Sequence, residues 1–190
     1  MPDGSAPNLP FHAQLDGLTG VYGREALLAL LFRETDRVQR MHTALSVVLL
    51  GIDDFGDCDQ WDSRPGLEVC DGLLRQVAGR TSRLLRSYDL LGHAGKDQFL
   101  IALPGCGAIE ATRLAERLRD AVFGVPFQVE GESIQLSACF GIACSQGRSP
   151  VVVLREAKEA LRCAKAAGLE SIHYTGELLF GERMHLASVP

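Results

Sequence analysis

A chain of 190 residues in which 46% of the side chains are hydrophobic is long enough to form one domain with a substantial core. A net charge of −5 argues against a nucleic-acid partner, because such binding needs clustered Lys and Arg, and the arginines here are scattered among acids. No apolar run reaches the length of a membrane span, and the opening residues MPDGSAPNLP lack both parts of a signal peptide. We therefore expect a cytoplasmic protein that contacts neither nucleic acid nor membrane.

The six cysteines form no CxxC pair, and most of them lie within apolar segments. They are Cys58, Cys70, Cys106, Cys139, Cys144 and Cys163. This pattern favours buried or inert thiols, and the alternative is a disulfide or zinc framework.

Hydrophobic periodicity divides the chain into a leader at 1–10, a domain at 11–175 and a tail at 176–190. Within the domain we predict helices over 24–42, 65–85, 108–122 and 151–167, and strands at 45–50, 88–92, 99–103, 127–129, 134–143 and 171–174. This order predicts an α+β fold with a mixed, mainly antiparallel sheet of about five strands flanked by helices, and it does not fit an all-parallel sheet.

Acidic side chains are concentrated in two of the predicted loops. Five aspartates follow the 45–50 strand, and another lies in the turn between the next two strands: Asp53, Asp54, Asp57, Asp59, Asp62 and Asp97. Carboxylates that converge from two strand ends would suit a hard cation and a nucleoside triphosphate. The alternative is a solvated acidic loop without a ligand.

Several segments, in order and at matching spacing, resemble the GGDEF family of diguanylate cyclases. The segments LDGLTGVYGR (15–24), GIDDF (51–55), GKDQF (95–99), SACFGIA (137–143) and ALRCAKAAG (160–168) resemble the family's DxLTGLxNR, DxDxF, GGDEF, TVSIGIA and ALYxAKxxG motifs. The resemblance spans residues 11–175. It implies a palm-like sheet related to that of nucleotide cyclases, and an activity in which two facing half-sites join two GTP molecules into cyclic di-GMP with the help of divalent cations.

Residue by residue, the resemblance implies a degenerate catalytic site. Gly51 occupies the place of the first metal-binding Asp, Asp53 falls on the second Asp of that motif, and Asp97 is the sole surviving metal carboxylate. In the signature turn, Gly95 is retained, Lys96 replaces the second glycine and Gln98 replaces the glutamate. We therefore expect no catalysis and no tight magnesium binding, so that no cofactor is required.

The resemblance also assigns GTP-contacting positions. In the guanine-reading pair, Asp59 stands where the family usually has Asn, and Asp71 matches the Asp if the intervening loop is longer than usual by about three residues. Lys165 is the one retained phosphate-binding cation, and Lys96 adds a second positive charge. If the site binds GTP, we expect weak binding with little metal dependence, the lysines replacing the cation. The alternative is a dead pocket retained only for folding.

Arg86 and Asp89 match the RxxD motif of the family's inhibitory site, at the family's spacing of nine residues before Gly95. Arg117 resembles an arginine that some members add to this site from a neighbouring domain. The resemblance implies a site for cyclic di-GMP, and the alternative is a local surface ion pair.

We therefore expect a catalytically inactive receptor for cyclic di-GMP that works as a homodimer or with another signalling protein. The alternative is a module for GTP sensing or protein interaction that does not bind cyclic di-GMP. An active cyclase is the third and weakest interpretation, since it would need Asp53 or Asp54 to replace the missing ligand.

Overall fold

The computed structural model describes residues 15–53, 55 and 64–175, with only the backbone at 64–66. Its elements in chain order are α1 (Arg24–Met41), β1 (Leu45–Ile52), α2 (Arg64–Ser82), β2 (Leu90–Gly95), β3 (Gln98–Pro104), α3 (Ala108–Leu118), β4 (Phe127–Val129), β5 (Glu132–Ile134), β6 (Ala138–Cys144), α4 (Pro150–Ala167) and β7 (Ile172–Thr175). A π-helical turn, Arg119–Phe123, extends α3. The predicted leader and tail lie outside the described residues.

Five strands form the central sheet in the order β2-β3-β1-β6-β7. All neighbours are antiparallel except β6 and β7, which run parallel. The predicted fold class, a mixed and mainly antiparallel sheet of five strands with flanking helices, is confirmed. Every residue of β1 is buried, as its uninterrupted apolar sequence predicts for a central strand covered on both faces.

Two clusters of apolar side chains cover the two faces of the sheet. One includes the apolar residues of α2 and α3, with Phe99, Phe123 and Phe140 among its largest members. The other packs α1 and α4 against the opposite face. Ser149 caps α4 by accepting a hydrogen bond from the backbone N–H of Val151, and Pro150 occupies the first helical turn.

Three sequence predictions need correction. The strand predicted at 134–143 is two strands, because residues 135–137 leave the pairing: β5 pairs with β4 in a separate two-stranded sheet, and β6 joins the central sheet. The helix predicted to reach residue 85 ends at Ser82. Cys70 is disulfide-bonded, so the prediction of inert thiols is wrong for this cysteine.

The other four cysteines in the described part of the chain, at positions 106, 139, 144 and 163, are free thiols. Among the described helices, none combines the length and apolar character needed to cross a membrane.

Candidate functional site

The first candidate site lies where β1 ends beside the turn between β2 and β3. Gly51 pairs with Gln98 in the antiparallel ladder, and the Ile52 N–H donates to the Asp97 carbonyl at 3.0 Å. This pairing fixes the signature turn against the end of β1. The turn residues are therefore held at the end of the sheet where β1 stops, as the sequence predicts for residues at adjoining strand ends. They are Gly95, Lys96, Asp97 and Gln98.

Lys165 reaches this edge from the last turn of α4. Its ammonium lies 3.1 Å from a carboxylate oxygen of Asp97, and both side chains are partly shielded, with 38% and 27% of their surfaces exposed. A Cβ atom at Gly51 would lie 2.9 Å from Lys165 Cε and 3.3 Å from its Nζ. The lysine therefore fills the space that a side chain at position 51 would occupy, and its positive charge is paired with Asp97.

Asp53 is bound by residues that precede β6 and β7. One of its carboxylate oxygens accepts hydrogen bonds from the Ser137 hydroxyl at 2.9 Å and from the Glu170 N–H at 3.3 Å. Only 7% of the residue is exposed. This carboxylate ties the end of β1 to the segments before β6 and β7, which is a structural role.

The buried thiol of Cys139 lies beside Asp53. Burial is the main reason that the pKa of Cys139 rises to about 11, and the neighbouring carboxylate adds to the effect. The thiol is therefore protonated at neutral pH, and it donates a weak hydrogen bond to the Gly168 carbonyl at 3.4 Å.

The remaining residues assigned to GTP are only partly placed. Asp71 lies on α2, where it is half exposed and 3.7 Å from Arg75 one turn later. Lys96 is exposed on the turn beside Asp97. Asp59 lies outside the described residues. The structure thus brings Asp97 and Lys165 into contact, and Asp71 has an ion pair of its own.

The second candidate site lies between α3 and the segment that connects α2 to β2. The Arg86 N–H donates to an Asp89 carboxylate oxygen at 2.8 Å, and the Arg86 guanidinium donates to the Tyr88 hydroxyl at 2.9 Å. The other Asp89 oxygen is buried and has no hydrogen-bond partner among the described residues. No direct hydrogen bond joins the Arg86 guanidinium to the Asp89 carboxylate among the described residues, but the hydrogen bond to Tyr88 and, to a lesser extent, the nearby Asp89 charge raise the pKa of Arg86.

Arg117 completes this site from α3 of the same chain, held by a 2.8 Å hydrogen bond from its guanidinium to the Leu84 carbonyl. With Arg86 and Asp89 it lines a pocket of about 200 Å³. The other lining residues are Leu103, Cys106, Glu110, Arg113 and Leu114. No neighbouring domain is needed to bring Arg117 to the pocket.

Arg113 is a member of this pocket that the sequence interpretation missed. It lies four residues before Arg117, so the two side chains project from the same face of α3. The helical spacing of the two arginines was a signal that could have found it. Three guanidinium groups and two carboxylates, those of Asp89 and Glu110, line this concavity, which can bind a ligand that carries phosphates and a hydrogen-bonding base.

A mainly antiparallel five-stranded sheet flanked by helices, with a strand-end turn that faces a lysine from the last helix, makes this a mixed α/β domain. The family model described as "Diguanylate cyclase, GGDEF domain" matches residues 13–171. The chain belongs to the GGDEF domain family.

Curated relatives carry the same domain within longer proteins. Diguanylate cyclase DgcP of Pseudomonas aeruginosa is 32% identical over 162 residues, which cover 84% of this chain and 24% of DgcP. Response regulator PleD of Caulobacter vibrioides is 29% identical over 164 residues, covering 84% of this chain and 36% of PleD. The chain therefore spans about a quarter to a third of the length of these relatives.

Solved structures share the fold. Diguanylate cyclase SiaD of Pseudomonas aeruginosa, crystallised with its activator SiaC, aligns with a TM-score of 0.77 and 30% identity over 85% of this chain and 61% of SiaD. The GGDEF domain of DgcB from Caulobacter crescentus, crystallised with c-di-GMP, aligns with a TM-score of 0.78 and 23% identity over 88% of this chain and 98% of that domain.

Proposed function

We propose that this GGDEF domain is a catalytically inactive receptor in cyclic-di-GMP signalling and that it binds the dinucleotide through Arg86, Asp89 and Arg117. The observation that carries the proposal is that these three side chains line one pocket together with Arg113. Guanidinium groups can bind phosphate oxygens in pairs and stack on bases. The Asp89 carboxylate in the pocket wall offers acceptor oxygens for the N–H donors of a guanine edge.

The size of the pocket limits how the ligand sits. At about 200 Å³ it is smaller than the roughly 300–1,000 Å³ of ordinary ligand pockets, so it takes only part of a dinucleotide. The remainder of the ligand would project from the surface, where a second ligand molecule and a second domain can contact it. A homodimer, or a complex with another signalling protein, would therefore report occupancy of the pocket.

The proposed loss of catalysis rests on the contacts at Gly51. Magnesium prefers oxygen ligands at about 2.0–2.1 Å in near-octahedral geometry. Here position 51 has no side chain, the Lys165 ammonium lies 3.1 Å from the Asp97 carboxylate, and Asp53 is engaged by Ser137. This set of residues does not offer the oxygen ligands that a tightly bound magnesium ion needs, so we assign no metal-dependent step to this chain.

The neutral side chain of Gln98 and the added bulk of Lys96 support the same proposal. An amide in place of a carboxylate cannot accept a proton in catalysis. A lysine in place of the second glycine of the signature brings a long side chain to the turn that a nucleotide would have to approach.

A GTP-sensing module is the second candidate, and Lys165 is the observation that favours it. Its side chain is 38% exposed and reaches the turn that carries Lys96. Two lysines at this edge can attract a triphosphate without a divalent cation. This function would leave the Arg86 pocket without a ligand.

Calorimetric titration with cyclic di-GMP tests the receptor proposal. We expect micromolar or tighter binding by the parent and at least a tenfold loss in Arg86→Ala, which corresponds to about 1.4 kcal/mol. Arg83→Ala is the matched control, because Arg83 is exposed three residues earlier and does not line the pocket. Absence of binding by the parent, or equal binding by Arg86→Ala, would reject the receptor.

Incubation with GTP and either Mg²⁺ or Mn²⁺, followed by chromatography of the nucleotides, tests the loss of catalysis. We expect GTP to remain unconverted. Formation of cyclic di-GMP above the level of a no-protein control would show that the site is active and that the assignment of an inactive receptor is wrong.

A further inference from the structure

A groove lies between α1 and α4, on the opposite face of the sheet from the Arg86 pocket. Its volume is about 590 Å³, within the range of ordinary small-molecule sites. It is lined by Arg24, Leu27, Leu28, Phe32, Leu49, Ala94, Gln98, Leu100, Val151, Leu154, Arg155, Ala157 and Lys158. Apart from Gln98, none of these residues belongs to the two sites described above.

The walls and floor of this α1–α4 groove are apolar. Leu49 and Leu100 from adjacent strands form its floor and are buried, whereas Phe32 on one helix is 45% exposed and Val151 on the other is 62% exposed. Large apolar side chains exposed around a concavity lose unfavourable contact with water when a ligand covers them. The groove therefore favours a ligand with an apolar body.

Three cations surround these apolar walls: Arg24 on α1, and Arg155 and Lys158 on α4. All three are exposed, and none has a salt bridge to a carboxylate in the described part of the chain. A cation free of an internal partner keeps its full capacity to bind an external anion.

The acids of α4 that lie nearest in sequence to these cations are engaged elsewhere. Glu156 pairs with Arg148, and Glu159 forms a two-pronged contact with Arg162. The groove thus has a net positive rim, although the whole chain carries a charge of −5.

We propose that the α1–α4 groove binds a monomeric amphipathic anion, namely a carboxylate or phosphate ester with an elongated apolar body. The anionic group would lie against Arg155 and Lys158, and the apolar body would follow α1 towards Phe32. From Arg24 to Phe32 the helix rises about 12 Å, which suits a medium-length acyl chain and is short for a docked helix of a partner protein. This site is independent of cyclic-di-GMP binding.

Dodecanoate, titrated calorimetrically below its micelle-forming concentration, is the test ligand. We expect saturable binding at one site per chain. The double variant R155E/K158E should bind at least tenfold more weakly, because two attractive charges become repulsive ones at exposed positions. The matched control R33E/R40E makes the same charge change at exposed positions of α1 outside the groove and should bind like the parent.

Two further measurements distinguish binding in this groove from nonspecific binding of the amphiphile to the protein surface. Dodecyl maltoside, with an uncharged head group, should bind at least tenfold more weakly than dodecanoate. Phe32→Ser, which removes the apolar wall without changing the charge of the groove, should also lose at least tenfold. Circular dichroism establishes that each variant is folded.

The proposal is overturned if the parent does not bind dodecanoate, or if the two double variants lose affinity equally. It is also overturned if the uncharged amphiphile binds as well as the anion. Binding of anionic vesicles without binding of monomeric dodecanoate would indicate a membrane contact in place of the proposed pocket.

Discussion

Gly141 marks the closest approach between the sheet and α4, and its replacement gives a sharp test of the packing. A Cβ atom at this position would lie 2.2 Å from the Leu161 nitrogen and 2.3 Å from the Ala157 carbonyl oxygen. These are backbone atoms of a helix and cannot rotate away. Gly141→Ala therefore requires α4 to retreat as a whole, by about 1 Å, to reach ordinary contact.

We expect Gly141→Ala to lower the free energy of unfolding by about 3 kcal/mol, the upper end of the usual cost of overpacking. For a domain of this size, that loss lowers the melting temperature by roughly 6–12 °C. Urea denaturation followed by circular dichroism measures the change directly. A loss below about 1 kcal/mol would refute the close helix–sheet contact, because overpacking ordinarily costs more than that.

Gly79→Ala supplies the matched control, since the substitution is the same and the surroundings are opposite. Gly79 is exposed within α2, and a Cβ there would meet no atom within 4 Å. Alanine stabilises a helix interior relative to glycine by about 0.5–1 kcal/mol. Gly79→Ala should therefore raise the free energy of unfolding in the same assay.

Three further predictions concern single side chains. Asp53→Ala should cost about 2 kcal/mol in urea denaturation, because it removes a buried charged acceptor and leaves the partly buried Ser137 hydroxyl without it. Asp16 has a lowered pKa: burial acts to raise it, but hydrogen bonds from Thr19 and the charge of His93 outweigh burial. Its stabilising effect is therefore full above the unfolded-state pKa and is lost as the pH falls through the lower folded-state value. The difference in free energy of unfolding between the parent and Asp16→Asn should be constant above about pH 5 and should narrow as the pH falls below about 4. Iodoacetamide should label the partly exposed Cys163 in the native protein and spare the buried Cys139, whose pKa is about 11; mass spectrometry of the peptides would contradict this if Cys139 reacted first.

The fold was largely predictable because its elements have distinct periodicities. The uninterrupted apolar run of β1 and the amphipathic pattern of α4 each determine one structural state. The break between β5 and β6 was not predictable in this way, since residues 132–144 carry a continuous β-like composition. The Gln135 amide donates to the Phe123 carbonyl at 2.5 Å, a contact between segments that local sequence does not reveal.

At the candidate sites, the sequence identified residue types and positions but not their contacts. The absence of a side chain at Gly51 and the presence of Lys165 were separate observations in the sequence. Only the fold shows that the lysine lies in the space above Gly51 and pairs with Asp97. Arg113 was missed because the resemblance directs attention to Arg86, Asp89 and Arg117, and the four-residue spacing between Arg113 and Arg117 was not followed along α3.

The coupling between Gly51 and Lys165 leads to a final prediction about metal dependence. A carboxylate introduced by Gly51→Asp would meet the flexible end of Lys165, which can move aside at little cost. A bound triphosphate would draw the ammonium away, and the two carboxylates at positions 51 and 97 would then be free to hold a divalent cation. We therefore expect Mg²⁺ to change GTP binding by the parent less than about twofold and to strengthen binding by Gly51→Asp at least tenfold.

Gly51→Asn is the matched control for this gain of Mg²⁺ dependence, since an asparagine side chain has nearly the same shape as an aspartate side chain and carries no charge. Calorimetric titration of GTP with and without Mg²⁺ should show little metal dependence in Gly51→Asn. Equal metal dependence in the Asp and Asn variants would show that the effect comes from filling the space and not from a metal ligand. Strict metal dependence in the parent would show that Asp97 already holds the cation despite Lys165, and the proposed loss of the metal site would fail.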